Sequence, residues 1–148
     1  MPCKLCKTKP VINLTNNKVQ LCSRCFIRYF ERKVLKTIRQ YNLIEKNDNI
    51  IVAVSGGKDS LSCLYLMNKI AKKKMRIKVS ALLIDEGIKG YRNGTIKTAK
   101  DFCKKNNIKL TIVSFKKEIG KTLDEIKNEF PDIIPCSICG VFRRYCKG

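Results

Sequence analysis

Within six positions, Ser55-Gly56-Gly57-Lys58-Asp59-Ser60 combines two adjacent glycines, two hydroxyls, a cation and a carboxylate, a set of groups suited to phosphate. Glycines let the backbone approach an anion closely, and the free N–H groups of a following helical turn would point at it. The spacing is neither that of the Walker loop, G-x-x-x-x-G-K-[ST], nor that of the dinucleotide fingerprint G-x-G-x-x-G. Cysteine is the second chemical resource: the chain has nine, and no histidine. Cys3-x-x-Cys6, fifteen further residues and Cys22-x-x-Cys25 fall on the spacing of a four-thiolate zinc site. Four thiolates leave no position for water, so such a site is structural. A third pair, Cys136-x-x-Cys139, reads by itself as metal ligands, as a redox dithiol or as chance.

The phosphate-type loop needs an element on each side. Ile50-Ile51-Val52-Ala53-Val54 reads as a buried parallel strand, and Leu61, Leu64, Met67 and Ile70 recur at helical spacing after Ser60. A basic turn at 72–74 leads to a second strand, Val79–Ile84, which runs into Asp85-Glu86-Gly87-Ile88 and Gly90-Tyr91-Arg92. Ligands of open α/β sheets sit at the carboxyl ends of strands. Asp85 and Glu86 therefore lie beside the loop, where they either hold Mg²⁺ or a ribose or cap the next helix. A helix through Ile96, Ala99 and Phe102, a strand Leu110–Phe115 and a helix around Leu123, Ile126 and Phe130 follow. Cys63 and Cys103 fall on apolar helix faces and read as core. Pro131 and Pro135 bracket a functional loop that carries the third cysteine pair into a last helix. The alternation predicts a doubly wound parallel sheet, of which three strands make about half.

Residues 1–26 form a small zinc-ribbon module, with a hairpin between Val11-Ile12 and Val19–Leu21 turning at 15–18. Too small to fold on its own core, it relies on metal. An amphipathic helix runs from Phe26 to Leu43, 27–46 is the linker-helix unit, and 47–148 is the nucleotide domain. Ile27, Phe30, Val34, Ile38 and Tyr41 line one face of the helix; Arg28, Arg32, Lys36 and Arg39 line another, almost opposite. With 32 basic and 12 acidic residues the chain carries a formal +20. Lysine-rich composition of a thermophile kind explains many lysines but not the shortage of acids. A polyanionic partner explains both, and nucleic acid fits the basic stripe. No stretch approaches the ~18 apolar residues of a membrane span, and no apolar signal core opens the chain. A cytosolic protein with no membrane partner is expected.

Ser55-Gly-Gly-Lys-Asp-Ser60 resembles the PP-loop of the ATP pyrophosphatases, which split ATP into AMP and pyrophosphate while activating a carbonyl oxygen. Together with the N-terminal cysteine knuckles, Ile84-Asp-Glu-Gly-Ile88, Gly90-Tyr91-Arg92 and Cys136-x-x-Cys139-Gly-Val-x-Arg-Arg144, the chain resembles the TtcA/TtuA family of tRNA thiolation enzymes from Cys3 to Tyr145. The likeness is strongest to the archaeal and eukaryotic cytosolic branch that makes 2-thiouridine. The resemblance implies the N-terminal half of an adenine nucleotide alpha hydrolase-like domain, preceded by a zinc ribbon and linker helix. It implies ATP and Mg²⁺ at Ser55, Gly56, Gly57, Lys58, Asp59 and Ser60, with backbone contacts from Ala53 and Ile84.

Lys58, Asp59 and Arg143 take catalytic roles in that reading, and Arg144 faces ATP or tRNA phosphate with Arg143. Cys3, Cys6, Cys22 and Cys25 correspond to zinc ligands. Cys136 and Cys139 correspond to two of three ligands of a 4Fe–4S cluster. The family's third cluster cysteine lies well downstream; Cys146, seven residues past Cys139, would be ~10 Å away along a helix. The expectation is a truncated product or fragment that binds zinc and nucleotide but does not complete thiolation alone. Partners implied are tRNA, a sulfur donor (a ubiquitin-like thiocarboxylate protein or sulfide) and a second copy in a homodimer. The modified uridine, wobble or T-loop, stays open. A lysidine-synthetase-like tRNA ligase and a non-catalytic zinc-ribbon nucleic-acid-binding protein share part of the pattern.

Overall fold

The computed structural model describes residues 2–15, 18–73, 76–90 and 92–145, which fall into two compact units, Met1–Glu45 and Lys46–Gly148. In the first, β1 (Ile12–Leu14) pairs antiparallel with β2 (Val19–Leu21), Asn13 opposite Gln20. The expected hairpin is present, with its first strand starting one residue later; the central turn residues 16 and 17 lie outside the described residues. Helix α1 (Ser23–Gln40) begins three residues before the expected start, because Cys22 takes the N-cap position and Cys25 joins the first helical turn. Of the proposed apolar face, Ile38 is buried and Val34 half-buried, while Ile27, Phe30 and Tyr41 remain exposed. Cys3, Leu21 and Cys25 form the core of this unit.

The second unit is a three-stranded parallel sheet in the order β3 (Asn49–Val54), β4 (Lys78–Asp85), β5 (Lys109–Ser114). Each strand is within a residue or two of its expected span, since short apolar runs bounded by turn residues mark it locally. Helices α2 (Lys58–Lys73) and α3 (Arg92–Asn106) connect them. Parallel crossovers share one hand, so both helices pack on one face of the sheet. Leu64, Ala99 and Cys103 meet Val52, Val54, Ala81 and Leu83 there. On the other face of β3, Ile51 is 67% exposed. Cys103 is core as expected, but Cys63 is exposed. It stands on α2 directly before Leu64, which is wholly buried against the sheet, so the two neighbouring side chains point to different sides of the helix.

Beyond the strand ends a second core gathers Ile84 of β4 with Phe115, Leu123, Ile126 and Ile138 from α4 (Phe115–Glu118), α5 (Leu123–Glu129) and α6 (Pro135–Tyr145). Helix α5 starts in a capping box. Thr122 Oγ1 accepts from Glu125 N at 3.2 Å, and Thr122 N donates to Glu125 Oε2 at 2.7 Å. Lys116 Nζ donates to both Glu125 oxygens, and this pairing, reinforced by the Thr122 N–H, lowers the Glu125 carboxyl from 4.5 to about 2. A carboxyl depressed on folding contributes stability above its unfolded value and loses it as pH falls through the folded one. Thermal melts of Glu125→Gln should therefore lie below those of the unmodified chain above pH 4.5 and converge with them near pH 2. A gap that persists at the acid end would remove the carboxylate from the account.

Candidate functional site

β3 delivers the chain to Ser55 at the carboxyl edge of the sheet, and Gly56 turns it with φ +83°. The turn is tied by its own hydroxyls. Ser55 N donates to Ser60 Oγ at 3.2 Å, Gly57 N donates to Ser55 Oγ at 3.3 Å, and Ser60 Oγ donates to Gly57 O at 3.0 Å. Lys58 opens α2, so the N–H groups of its first turn and the positive end of its dipole face the loop. Lys58 Nζ and Asp59 Oδ1 lie 2.8 Å apart with both side chains 90% exposed. So exposed an ion pair is weak, and an incoming phosphate or cation can replace it. Its hydrogen bond holds the Lys58 ammonium above its ordinary pKa. The loop residues Ser55, Gly56, Gly57, Lys58, Asp59 and Ser60 thus lie together between β3 and α2, with Ala53 exposed just before them on β3.

Gly56 is also where α3 touches the loop. A Cβ there would overlap the Thr95 carbonyl oxygen and lie 2.9 Å from the Thr95 Cβ. No local pattern in the sequence marks Thr95, 39 positions away, as a wall of the loop.

At the next strand end neither Asp85 nor Glu86 caps the following helix, which begins at Arg92. Asp85 Oδ1 accepts from Gly87 N at 3.0 Å, which closes a turn rather than a helix cap. Glu86 is wholly buried, its carboxylate held by Arg92 and Arg143, so it is unavailable to Mg²⁺ or a ribose. Arg92, itself 4% exposed, also donates to the Ile84 carbonyl oxygen. The Ile84 carbonyl thus has a protein partner, and Arg92 is a residue that reading the sequence missed. Burial of a carboxylate requires compensating cations, and the arginine in Gly90-Tyr91-Arg92 was the available signal. Tyr91 lies outside the described residues.

Arg143 reaches Glu86 from α6, donating through Nε at 2.7 Å and through Nη2. On the same helix Cys136 is exposed and Cys139 half-buried, three residues apart and therefore close to one side. Burial pushes the Cys139 thiol above its ordinary value, with Arg143 pulling the other way. Arg144 Nε donates to Gly140 O at 3.2 Å and is exposed. Cys146 lies outside the described residues.

In the N-terminal unit, the sulfurs of Cys3, Cys6, Cys22 and Cys25 all lie within 4.8 Å of one another. Cys6 and Cys22 are 3.4 Å apart and Cys6 and Cys25 3.5 Å. Four thiolates around a tetrahedral ion at ~2.3 Å stand about 3.8 Å apart, so the set needs little movement to hold one metal. Hydrogen bonding from Thr8, then from the Cys25 backbone and Cys6, lowers the Cys22 thiol to about 6. The Cys25 thiol donates to Cys6 and is buried, and is pushed up to about 12. Arg28, Arg32, Lys36 and Arg39 are all exposed on α1.

The family model for the PP-loop domain matches residues 27–129. This chain belongs to the PP-loop family. Among curated relatives, a probable sulfurtransferase from Methanocaldococcus jannaschii is 43% identical over 130 residues, covering 84% of this chain and 38% of that one. A tRNA-5-methyluridine(54) 2-sulfurtransferase from Pyrococcus horikoshii is 40% identical over 145 residues, 98% of this chain and 44% of that one. The solved U34-tRNA thiolase NcsA from Methanococcus maripaludis, with its 4Fe–4S cluster, superposes with a TM-score of 0.85 at 36% identity. The match takes in 98% of this chain and 47% of the thiolase. This PP-loop chain therefore spans less than half the length of each of these relatives, and the likeness to the thiolation enzymes read from its motifs is met by their names. None of its described helices is long and apolar enough to cross a membrane.

Proposed function

We propose that this chain carries the nucleotide-activating half of a tRNA-uridine 2-sulfurtransferase. One observation supports this above the others. The phosphate loop ends β3, and the neighbouring strand β4 ends at the carboxylate that anchors the Cys136-x-x-Cys139 helix, so both lie at one edge of the sheet. A phosphate-activating site and a thiol pair placed together suit a reaction that replaces oxygen by sulfur.

Uracil O2 is a poor leaving group. Attack of O2 on the α-phosphorus of ATP forms a C2–O–P bond and expels pyrophosphate. Addition of a sulfur nucleophile at C2 then expels AMP, which carries away the original oxygen. Ser55, Gly57, Ser60 and the first turn of α2 would receive the pyrophosphate charge, and Lys58 would neutralise it as it develops. Asp59 is the exposed carboxylate best placed for a magnesium ion that travels with ATP.

A 4Fe–4S cluster would supply sulfur delivery at an open iron. Cys136 and Cys139 offer two thiolates on one helix side beside Arg143; no third cysteine of the described residues joins them, so the set fits in part. The Cys3, Cys6, Cys22 and Cys25 set fits zinc in full. The exposed stripe Arg28, Arg32, Lys36 and Arg39, with Arg144, would bind tRNA phosphates.

In the full chain mixed with ATP and tRNA, Lys58→Ala should slow pyrophosphate release by about 10²–10³-fold, the usual cost of one preorganised charge contact. Release that does not depend on Lys58, or no release from the unmodified chain, would overturn the reading.

A further inference from the structure

We infer that Glu86 is a positioning residue whose buried carboxylate sets the rotation of helix α6, and with it the orientation of Cys136 and Cys139 at the end of β4. The orientation matters for sulfur chemistry under the function proposed above, and on that reading the inference rests for its purpose, though not for its geometry.

An ionised carboxylate with its side chain 1% exposed is costly unless paired. Here the partners come from two different helices: Arg92 from the first turn of α3, 5% exposed, and Arg143 from α6, 45% exposed. The carboxylate is also fixed from its own backbone. Glu86 O accepts from Leu123 N at 2.8 Å, and Gly87, at φ +74°, packs so closely on Thr122 that a Cβ would overlap that side chain. Lys89 N donates to Asp124 Oδ2 at 2.9 Å. The loop after β4 is therefore clamped to the start of α5, and its carboxylate is a fixed point.

Helix α6 meets this fixed point through Arg143. Its other anchors among the described residues are apolar: Ile138 in the second core, Cys139 packed against that core, and Phe142 edge-on to Phe115 at 5.9 Å between ring centroids. Apolar contacts hold a helix down but tolerate some rotation about its axis, whereas Nε and Nη2 of Arg143 both donate to Glu86 Oε1 and tie that side of the helix to one fixed oxygen. Four residues separate Cys139 from Arg143, about 40° on a helical wheel, and Cys136 falls within about 20° of Arg143. Pinning Arg143 thus pins both thiols. At the other end of the ion pair, Thr95 Oγ1 donates to Arg92 O at 2.9 Å, and the Thr95 backbone is the wall against Gly56. The same carboxylate joins the helix behind the phosphate loop to the helix that bears the cysteines.

The test follows alkylation of individual cysteines in the full reduced chain by peptide mass spectrometry. In the unmodified protein, exposed Cys136 should react faster than half-buried Cys139, with Cys103 (2% exposed) protected. In Glu86→Gln and in Arg143→Ala the rate at Cys139 should rise about tenfold, the signature of local opening, with Cys103 still protected. Loss of a positive charge alone would slow thiolate chemistry, so a rise in Arg143→Ala reads opening. Millimolar guanidinium should restore protection in Arg143→Ala and fail to do so in the Arg143→Ala/Glu86→Gln double variant.

An unchanged Cys139 rate in either single variant overturns the proposal. Should Glu86→Gln also expose Cys103, because the whole unit has opened, the guanidinium experiment decides, and absence of rescue in Arg143→Ala overturns it. The readout uses neither ATP nor tRNA, so failure of the thiolation reading would leave these results standing on their own.

Discussion

Gly56→Ala should weaken nucleotide binding more than 100-fold, measured by titrating ATP into the full chain by calorimetry. The position holds φ +83°, a conformation that costs an L residue about 1–2 kcal/mol. The added methyl would also overlap the Thr95 carbonyl, which is backbone and cannot swing aside. Relief requires either that the loop leave the strand end or that α3 move off the sheet, whose buried Ala99 and Cys103 resist that movement. The loop is the cheaper element to displace. Its three hydroxyl ties are exposed and each contributes about 1 kcal/mol. Displacement disperses the N–H groups that face the phosphate, so affinity should fall by more than 100-fold while the sheet stays folded. Gly57→Ala supplies the contrast. A Cβ there meets only Ser55 Oγ at 3.4 Å, so the effect should be several-fold at most. Equal losses in the two variants would contradict the role given to Thr95.

Cys25→Ser should release the zinc proposed for the N-terminal unit and unfold that unit. Residues 1–45 bury a core that consists of Cys3, Leu21 and Cys25, with partly buried neighbours. So few side chains cannot offset the entropy of ordering this unit. A structural zinc contributes roughly 10–16 kcal/mol of apparent binding free energy at neutral pH, and that binding is folding free energy. Loss of one thiolate removes most of it and leaves a hydroxyl at a buried position. The expected result is loss of one zinc equivalent by elemental analysis, together with loss of amide protection in β1 and β2. A strong chelator should do the same to the unmodified chain. Retention of one zinc equivalent by Cys25→Ser would end this account. So would protection of both strands in the metal-free protein.

Much of this was readable in the residues alone, for a local reason. The strand spans around 50–54, 79–84 and 110–115 are written in short, largely apolar runs between turn residues, and the loop at 55–60 in adjacent glycines between a strand and a helix. The four N-terminal cysteines are written in their spacing. Each of these signals is set by neighbours within one or two turns of chain. The family resemblance rests on the same local words, and the match of residues 27–129 to the PP-loop domain agrees with it.

The tertiary structure decided what depends on residues far apart in the chain. Cys63 and Cys103 look alike on their helices, yet one is exposed and the other packed, because only the second has the sheet and α2 over it. Thr95 as the wall behind Gly56 could not be read, since the contact is steric and leaves no residue-type signature. Glu86 is the clearest case. A carboxylate after a strand looks the same in sequence whether it faces a metal, caps a helix or is buried. Its role was settled by Arg92, six residues on, and by Arg143, 57 residues on, through the demand that a buried charge find its counter-charge.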